Sequence, residues 1–223
     1  MRKPDTRTIR TVIQHITRYI AQYEDAVVTQ IAKQTDSDPF KVLISCLISL
    51  RTKDEVTAVA SARLFKIADT PQTMAKVQEQ QIVKTIYPAG FYKTKAKRIR
   101  EICDVLLMQY KGKVPDTLAE LLKLKGVGPK TAAIVMTYGH GSDNHIPADS
   151  HVHQIANRLG WVRTKMPHET EQELMKIVPK KYWHDLNNTF VTFGQKLCVP
   201  VSPWCSKCPV EQYCPKVGVK RRR

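Results

Sequence analysis

Lys130 and Asp149 are the residues whose type and setting suit covalent chemistry. Four cysteines near the C-terminus suit a metal. Lys130 closes the stretch LKGVGPK within LKGVGPKTAAIV (residues 124–135). Gly126 and Gly128 permit backbone angles closed to other residues, and they strip away side chains so that another backbone can approach. Pro129 suits the first turn of a helix, where its missing N–H costs nothing. The N–H groups at that mouth and the positive end of the helix dipole make a phosphate cradle that reads no base. A lysine here is electrostatically misplaced. The dipole disfavours its ammonium and raises the fraction of neutral amine, a nucleophile able to form a Schiff base with a sugar aldehyde. A simple phosphate contact is its other use.

Asp149 lies in IPADSHVHQIANRLGW, 19 residues after Lys130. Its plain use is as the N-cap of the helix that follows. Its chemical use is to stabilise oxocarbenium charge or to help deprotonate an amine. If the helix of Lys130 packs against that of Asp149, both side chains face one cleft.

Cys198, Cys205, Cys208 and Cys214 form C-x6-C-x2-C-x5-C, four thiols in 17 residues. Thiolates select zinc or an iron–sulfur cluster. Zinc sites more often use two CxxC knuckles, and only one is present. The wider gaps suit a [4Fe–4S] cube better. Such a cluster either carries electrons or clips a loop, and the spacing does not separate the two. Cys46 and Cys103 fall on apolar helix faces and read as small core residues.

The elements that must position these residues are helical. Apolar residues recur at helical spacing through most of the chain, and little of it alternates. Ile9, Val12, Ile13, Ile16 and Ile20 mark one face of a basic N-terminal helix. Helices are predicted over 38–50, 54–65, 70–77, 93–110, 116–124, 129–139 and 149–160, with two more in 168–198 broken near Pro179. Tyr87-Pro88-Ala89-Gly90 interrupts the pattern. No βαβ signature or internal repeat is present, so the class is all-α. The tail ending in KRRR is expected to be disordered.

Lys and Arg total 36 against 20 Asp and Glu, a net charge of +16 with a pI near 9.7. That balance favours a polyanionic partner, nucleic acid first. A basic membrane-surface protein is the rival, but it leaves the glycine hairpin and the cysteines unexplained. No apolar run of about 18 residues is present to span a bilayer. The N-terminus lacks the apolar core of a signal peptide, and a cytoplasmic protein with reduced cysteines is expected. No extra apolar stripe advertises an interface, so a monomer is expected.

Three motifs in order, LKGVGPKTAAIV, ADSHVHQIANR and the cysteine spacing, resemble the endonuclease III family of helix-hairpin-helix DNA glycosylases. The resemblance spans roughly residues 10–215. It implies two helical lobes. One is a six-helix barrel over 30–140 with the hairpin at 116–139. The other joins 1–29 to 141–223, carries the cluster and ends in a disordered tail over 217–223. It further implies double-stranded DNA across the cleft with a damaged base flipped out. It assigns Lys130 as the nucleophile at C1′, Asp149 as its carboxylate partner, and Cys198, Cys205, Cys208 and Cys214 as ligands of a [4Fe–4S] cluster. Gly126, Val127, Gly128, Arg51, Phe91 and His151 are placed at the DNA. The implied activity is bifunctional: oxidised pyrimidines are excised, then abasic sites are nicked by β-elimination.

Related branches differ at informative positions. The adenine-excising branch has Glu where Cys46 stands and Ser where Lys130 stands. The thymine-mismatch branch has Tyr at Lys130, and the 8-oxoguanine branch typically lacks the cluster. The chain also departs from its own family. Arg51 replaces a Gln that fills the gap left by the flipped base, and it can pair with the opposite base. Phe91 replaces a Leu wedge and can still intercalate, or it is a core aromatic. The loop VPVSPW (199–204) lacks the usual basic residues, a loss that Lys196, Lys207 or the tail can offset. A glycosylase of narrowed specificity and a non-catalytic DNA-binding relative are the alternatives.

Overall fold

The structure is a computed structural model that describes residues 4–223, so residues 1–3 of the expected N-terminal helix lie outside it. Among the described residues there is no strand. The chain divides into two compact units. One comprises the segments up to Ala26 and from Asp143 onward, and the other runs from Val27 to Ser142.

The continuous unit holds α2 (Val27–Gln34), α3 (Pro39–Ser49), α4 (Asp54–Ile67), α5 (Pro71–Lys76), α6 (Glu79–Ile86), α7 (Tyr92–Tyr110), α8 (Leu118–Leu121) and α9 (Pro129–Ile134). A π turn over Val135–Gly139 extends α9. Helix α3 is apolar almost all round, with Phe40 and Val42 to Ile48 all buried, and is the axis of this unit's core. Helices α2, α4, α7, α9 and the π turn pack on it. Asp38 caps α3 by accepting from the N–H of Lys41 at 2.9 Å, with Pro39 in the first turn.

The discontinuous unit brings α1 (Thr6–Ile20) against α12 (Trp183–Lys196), with α10 (Ser150–Arg158) packed on α12 and α11 (Pro167–Ile177) packed on α10. The isoleucines and Val12 of α1 meet Phe190, Phe193, Leu186 and Trp161 in one core. Helix α11 stops at Ile177, just before Pro179. No helix among the described residues is long and apolar enough to cross a membrane.

Several expectations change. Helices α2 and α6 occupy stretches for which no helix was predicted. Each is 8 residues long, too short for periodicity to stand out. The helix predicted over 116–124 shrinks to the 4 residues of α8. It ends in tight i+3 bonds, Lys123 N–H to Glu120 and Leu124 N–H to Leu121, both at 3.1 Å. The end of the tail makes contacts in the structure. Arg223 donates its backbone N–H to Pro203 O at 2.8 Å and its Nε–H to Ser202 O at 2.9 Å. Its guanidinium lies 4.0 Å from the Trp204 ring centre. A charge run predicts solvation; here one planar cation lies over a partly buried indole.

Candidate active site

The turn between α8 and α9 has one glycine in the left-handed region, not two. Gly126 has φ +88°, and a Cβ there would also lie 3.0 Å from Arg98 Cδ. Gly128 has φ −97° and ψ 176°, extended backbone open to any residue. A Cβ at Gly128 would meet nothing within 4 Å. The expectation of special angles at both is therefore corrected. What Gly128 supplies is a clear approach to the mouth of α9. Val127 between them is buried and pins the turn, its N–H bonded to Leu124 O at 2.9 Å. Lys130 is the second residue of α9 and is exposed. Burial pushes the Cys46 thiol of α3 up to about 12, and the Lys130 charge pulls weakly the other way.

Arg51 and Phe91 stand together at another corner of the same unit. Both have left-handed backbones, φ 52° and 56°. The Arg51 guanidinium carbon is 5.5 Å from the centre of the Phe91 ring. Phe91 is 62% exposed, which excludes the core-aromatic reading. A Cβ on Gly90 would run into the Arg51 carbonyl oxygen, so the two loops touch backbone to backbone. They border a hollow of about 450 Å³ with Leu47, Leu50 and Gly126.

In the discontinuous unit Asp149 is buried and caps α10. Its Oδ1 accepts from the N–H of His151 at 2.8 Å and of Val152 at 2.9 Å. The extended segment leading to it is gripped from two sides. Asn187 Nδ2–H donates to Pro147 O at 2.7 Å, and the Glu171 carboxyl accepts from the N–H of Ile146. Burial raises the Glu171 carboxyl to about 7 and lowers the neighbouring His145 imidazole, whose Nδ1 lies 3.4 Å from Glu171 Oε1. His151 lies over Gly194 of α12, where a Cβ would come within 2.5 Å of its Nδ1.

Cys198, Cys205, Cys208 and Cys214 line one small cavity with Trp204, Val210 and Arg158. Arg158 is buried, and its guanidinium donates to Cys198 Sγ at 3.3 Å and to the carbonyls of Cys198, Val199 and Pro200 at 3.1, 2.9 and 2.7 Å. Among the described residues no carboxylate pairs with it. Burial raises the thiols of Cys198, Cys208 and Cys214, Cys208 to about 12. Among the described residues no three His, Cys, Asp or Glu side chains converge on a point as a single metal ion needs.

A model of the HhH-GPD superfamily of base excision DNA repair proteins matches residues 44–180. Endonuclease III of Thermotoga maritima is 46% identical over 179 residues, 80% of this chain and 84% of the relative. The chain belongs to the endonuclease III family. Endonuclease III of Escherichia coli is 33% identical across 80% of this chain and 84% of its own. Among solved structures, a non-covalent endonuclease III–DNA complex superposes with a TM-score of 0.83 at 30% identity, covering 96% of each chain. A trapped endonuclease III–DNA covalent intermediate superposes with a TM-score of 0.81 at 29% identity, covering 96% of this chain and 97% of that one.

Within this endonuclease III family chain, Lys130 and Asp149 belong to different units, as do Arg51 and His151. The structure brings Arg51 to Phe91, and the four cysteines to one cavity. Sequence reading passed over Lys95. Its signal was available: Lys95, Ile99, Ile102 and Leu106 share one buried face of α7, and a lysine in such a series is an anomaly. Arg158 was missed in the same way, as a buried arginine at the end of α10.

Proposed function

We propose that this chain excises oxidised pyrimidines from duplex DNA and nicks the abasic site through a covalent intermediate on Lys130. The reaction class is that of its family, a DNA glycosylase and abasic-site lyase of base excision repair. What carries the residue assignment is an exposed lysine at an open helix mouth behind a turn that needs glycine at Gly126.

The chemistry balances with this chain's own groups. The neutral Lys130 amine attacks C1′ as the N-glycosidic bond breaks, and the base departs with that electron pair and takes up a proton. The Asp149 carboxylate stabilises the positive charge growing at C1′ and the ring oxygen. Ring opening leaves a Schiff base between Nζ and C1′. Loss of a C2′ proton then expels the 3′ phosphate by β-elimination, and hydrolysis frees the lysine. The hairpin backbone at Gly126, Val127 and Gly128 holds a phosphate, and the surplus charge supplies salt-dependent affinity. Arg51 and Phe91 fill the gap left by the flipped nucleotide, and His151 contacts DNA from the other unit.

Cys198, Cys205, Cys208 and Cys214 fit a [4Fe–4S] cluster. They share one cavity, and a single CxxC with wider gaps on either side suits a cube better than the paired CxxC knuckles common at zinc. A buried guanidinium lacking a carboxylate also fits thiolates made anionic by metal. When bound, the cluster supplies a charged tie that fixes the loop from Cys198 to Cys214.

Borohydride trapping tests the reading. Duplexes carrying an abasic site or thymine glycol should each give a covalent adduct, and Lys130→Gln should give none while still binding DNA. An adduct on the abasic duplex alone would mean a narrower base target, with Arg51 as the residue to vary. No adduct on either would mean a DNA-binding relative without the chemistry.

A further inference from the structure

Lys95 sits in the first turns of α7 and is 7% exposed. Its Nζ lies 2.6 Å from Ile48 O, 2.6 Å from Leu50 O and 2.8 Å from Thr52 Oγ1. An ammonium has three donors, and here each has an acceptor. Two of them are carbonyls at the C-terminal end of α3, where a helix dipole favours a cation. Residues 50–52 are therefore tied down on both sides of Arg51. The tie continues. Thr52 Oγ1 also accepts from the Gly90 N–H at 3.1 Å, and the Lys95 backbone N–H donates to Phe91 O at 3.0 Å. One side chain thus joins the exit of α3, which presents Arg51, to the entry of α7, which presents Phe91.

Left-handed backbones at two bulky residues persist only where the surroundings fix them, and such residues gather at ligand clamps. The Lys95 network is what fixes both. We infer that Lys95 is a positioning residue that locks Arg51 and Phe91 into one rigid wedge, a cation–π pair inserted into the duplex as a unit. This rests on the proposed reading of the chain as a glycosylase that flips its base. Rigidity matters because insertion must hold the helix open while Lys130 reacts, and a flexible wedge would spend binding energy on ordering itself.

The test is a double-mutant cycle on single-turnover excision from a thymine glycol duplex, with 2-aminopurine beside the lesion to report insertion. Lys95→Met and Phe91→Ala should each slow excision by about 10- to 100-fold, the range expected of a misplaced positioning group. The double variant should be no slower than the worse single one, because Phe91 has nothing left to contribute once its loop is loose. The 2-aminopurine rise on binding should fall in Lys95→Met and return in Lys95→Arg, which keeps the charge. A merely structural lysine would give effects that multiply and a normal fluorescence rise, and either result overturns the proposal. Should Lys95→Met fail to fold, Thr52→Val breaks the same tie by one hydroxyl and enters the same cycle. If the native chain traps an abasic site yet the effects multiply, only the wedge lock fails. If it traps nothing, the glycosylase reading fails and takes the lock with it.

Discussion

Asp149 has two roles assigned to it, helix cap and catalytic carboxylate, and two substitutions separate them. As a cap it satisfies the N–H groups of His151 and Val152 with one oxygen, at 2.8 and 2.9 Å, and it is only 6% exposed. Asn offers the same oxygen in nearly the same place and is as good a cap, so Asp149→Asn should cost well under about 1 kcal/mol. Ala removes the acceptor. The cap is worth about 1 kcal/mol, and stranding two N–H groups in a buried site adds about 1–2 kcal/mol. Asp149→Ala should therefore lose about 2–3 kcal/mol, a fall in Tm of roughly 4–12 °C for a domain this size. Activity should sort differently. Asn carries no charge, so both variants lose the electrostatic help at C1′, of the order of 10²- to 10³-fold for one preorganised group. Thermal unfolding and single-turnover excision on one thymine glycol duplex give both numbers. The reasoning is refuted if Asp149→Asn keeps native turnover, since the carboxylate would then be a cap alone. It is equally refuted if turnover falls only in proportion to lost stability.

Gly194→Ala should lower DNA affinity and excision by pushing the His151 ring, because its Cβ would arrive 2.5 Å from Nδ1; binding isotherms that match the native chain would detach His151 from the DNA. Glu171 has a folded carboxyl raised to about 7, so the folded state keeps a proton that the unfolded state loses near the ordinary value of 4.5. Its contribution to stability is thus fully present below about 4.5 and lost as pH rises through about 7, at most about 3 kcal/mol. Denaturant melts at pH 5 and pH 8 should show Glu171→Gln losing about 2–3 kcal/mol less than the native chain between those values, and parallel losses would remove Glu171 from the account. Purified holoprotein should be yellow-brown, with broad absorbance near ~400 nm from iron–sulfur ligation by four cysteines. Arg158→Met should bleach faster with a chelator, and a colourless protein holding one zinc would overturn the metal assignment.

Much of the fold was legible because its signals are local. Asp38, Thr70 and Asp149 announce helix starts with capping side chains, and each of them caps. The apolar face of α1 was readable residue by residue. What escaped is what packing decides. Helices α2 and α6 are short, and tertiary contacts, not propensity, hold such helices in place. Lys95 looked like one more charge in the basic start of α7 until its three acceptors, from 43 to 47 residues away in sequence, came into view. The pairing of Arg51 with Phe91 joins two loops that no spacing rule connects. The chemical residues were legible by type and motif; the groups that hold them steady were not.

The discontinuous unit also has a consequence for how the chain is made. Helix α1 is finished at Ile20, and α12, which covers its isoleucine face, begins at Trp183, about 160 residues later. At about 5–20 residues per second, a ribosome needs roughly 8–30 s to deliver that partner. The unit from Val27 to Ser142 is complete about 40 residues before α12 begins and can fold as it emerges. Throughout the wait α1 keeps a bare apolar face, and for its last few seconds that face sits beside a finished domain, the kind of surface that holding chaperones recognise and that favours aggregation when chains crowd together.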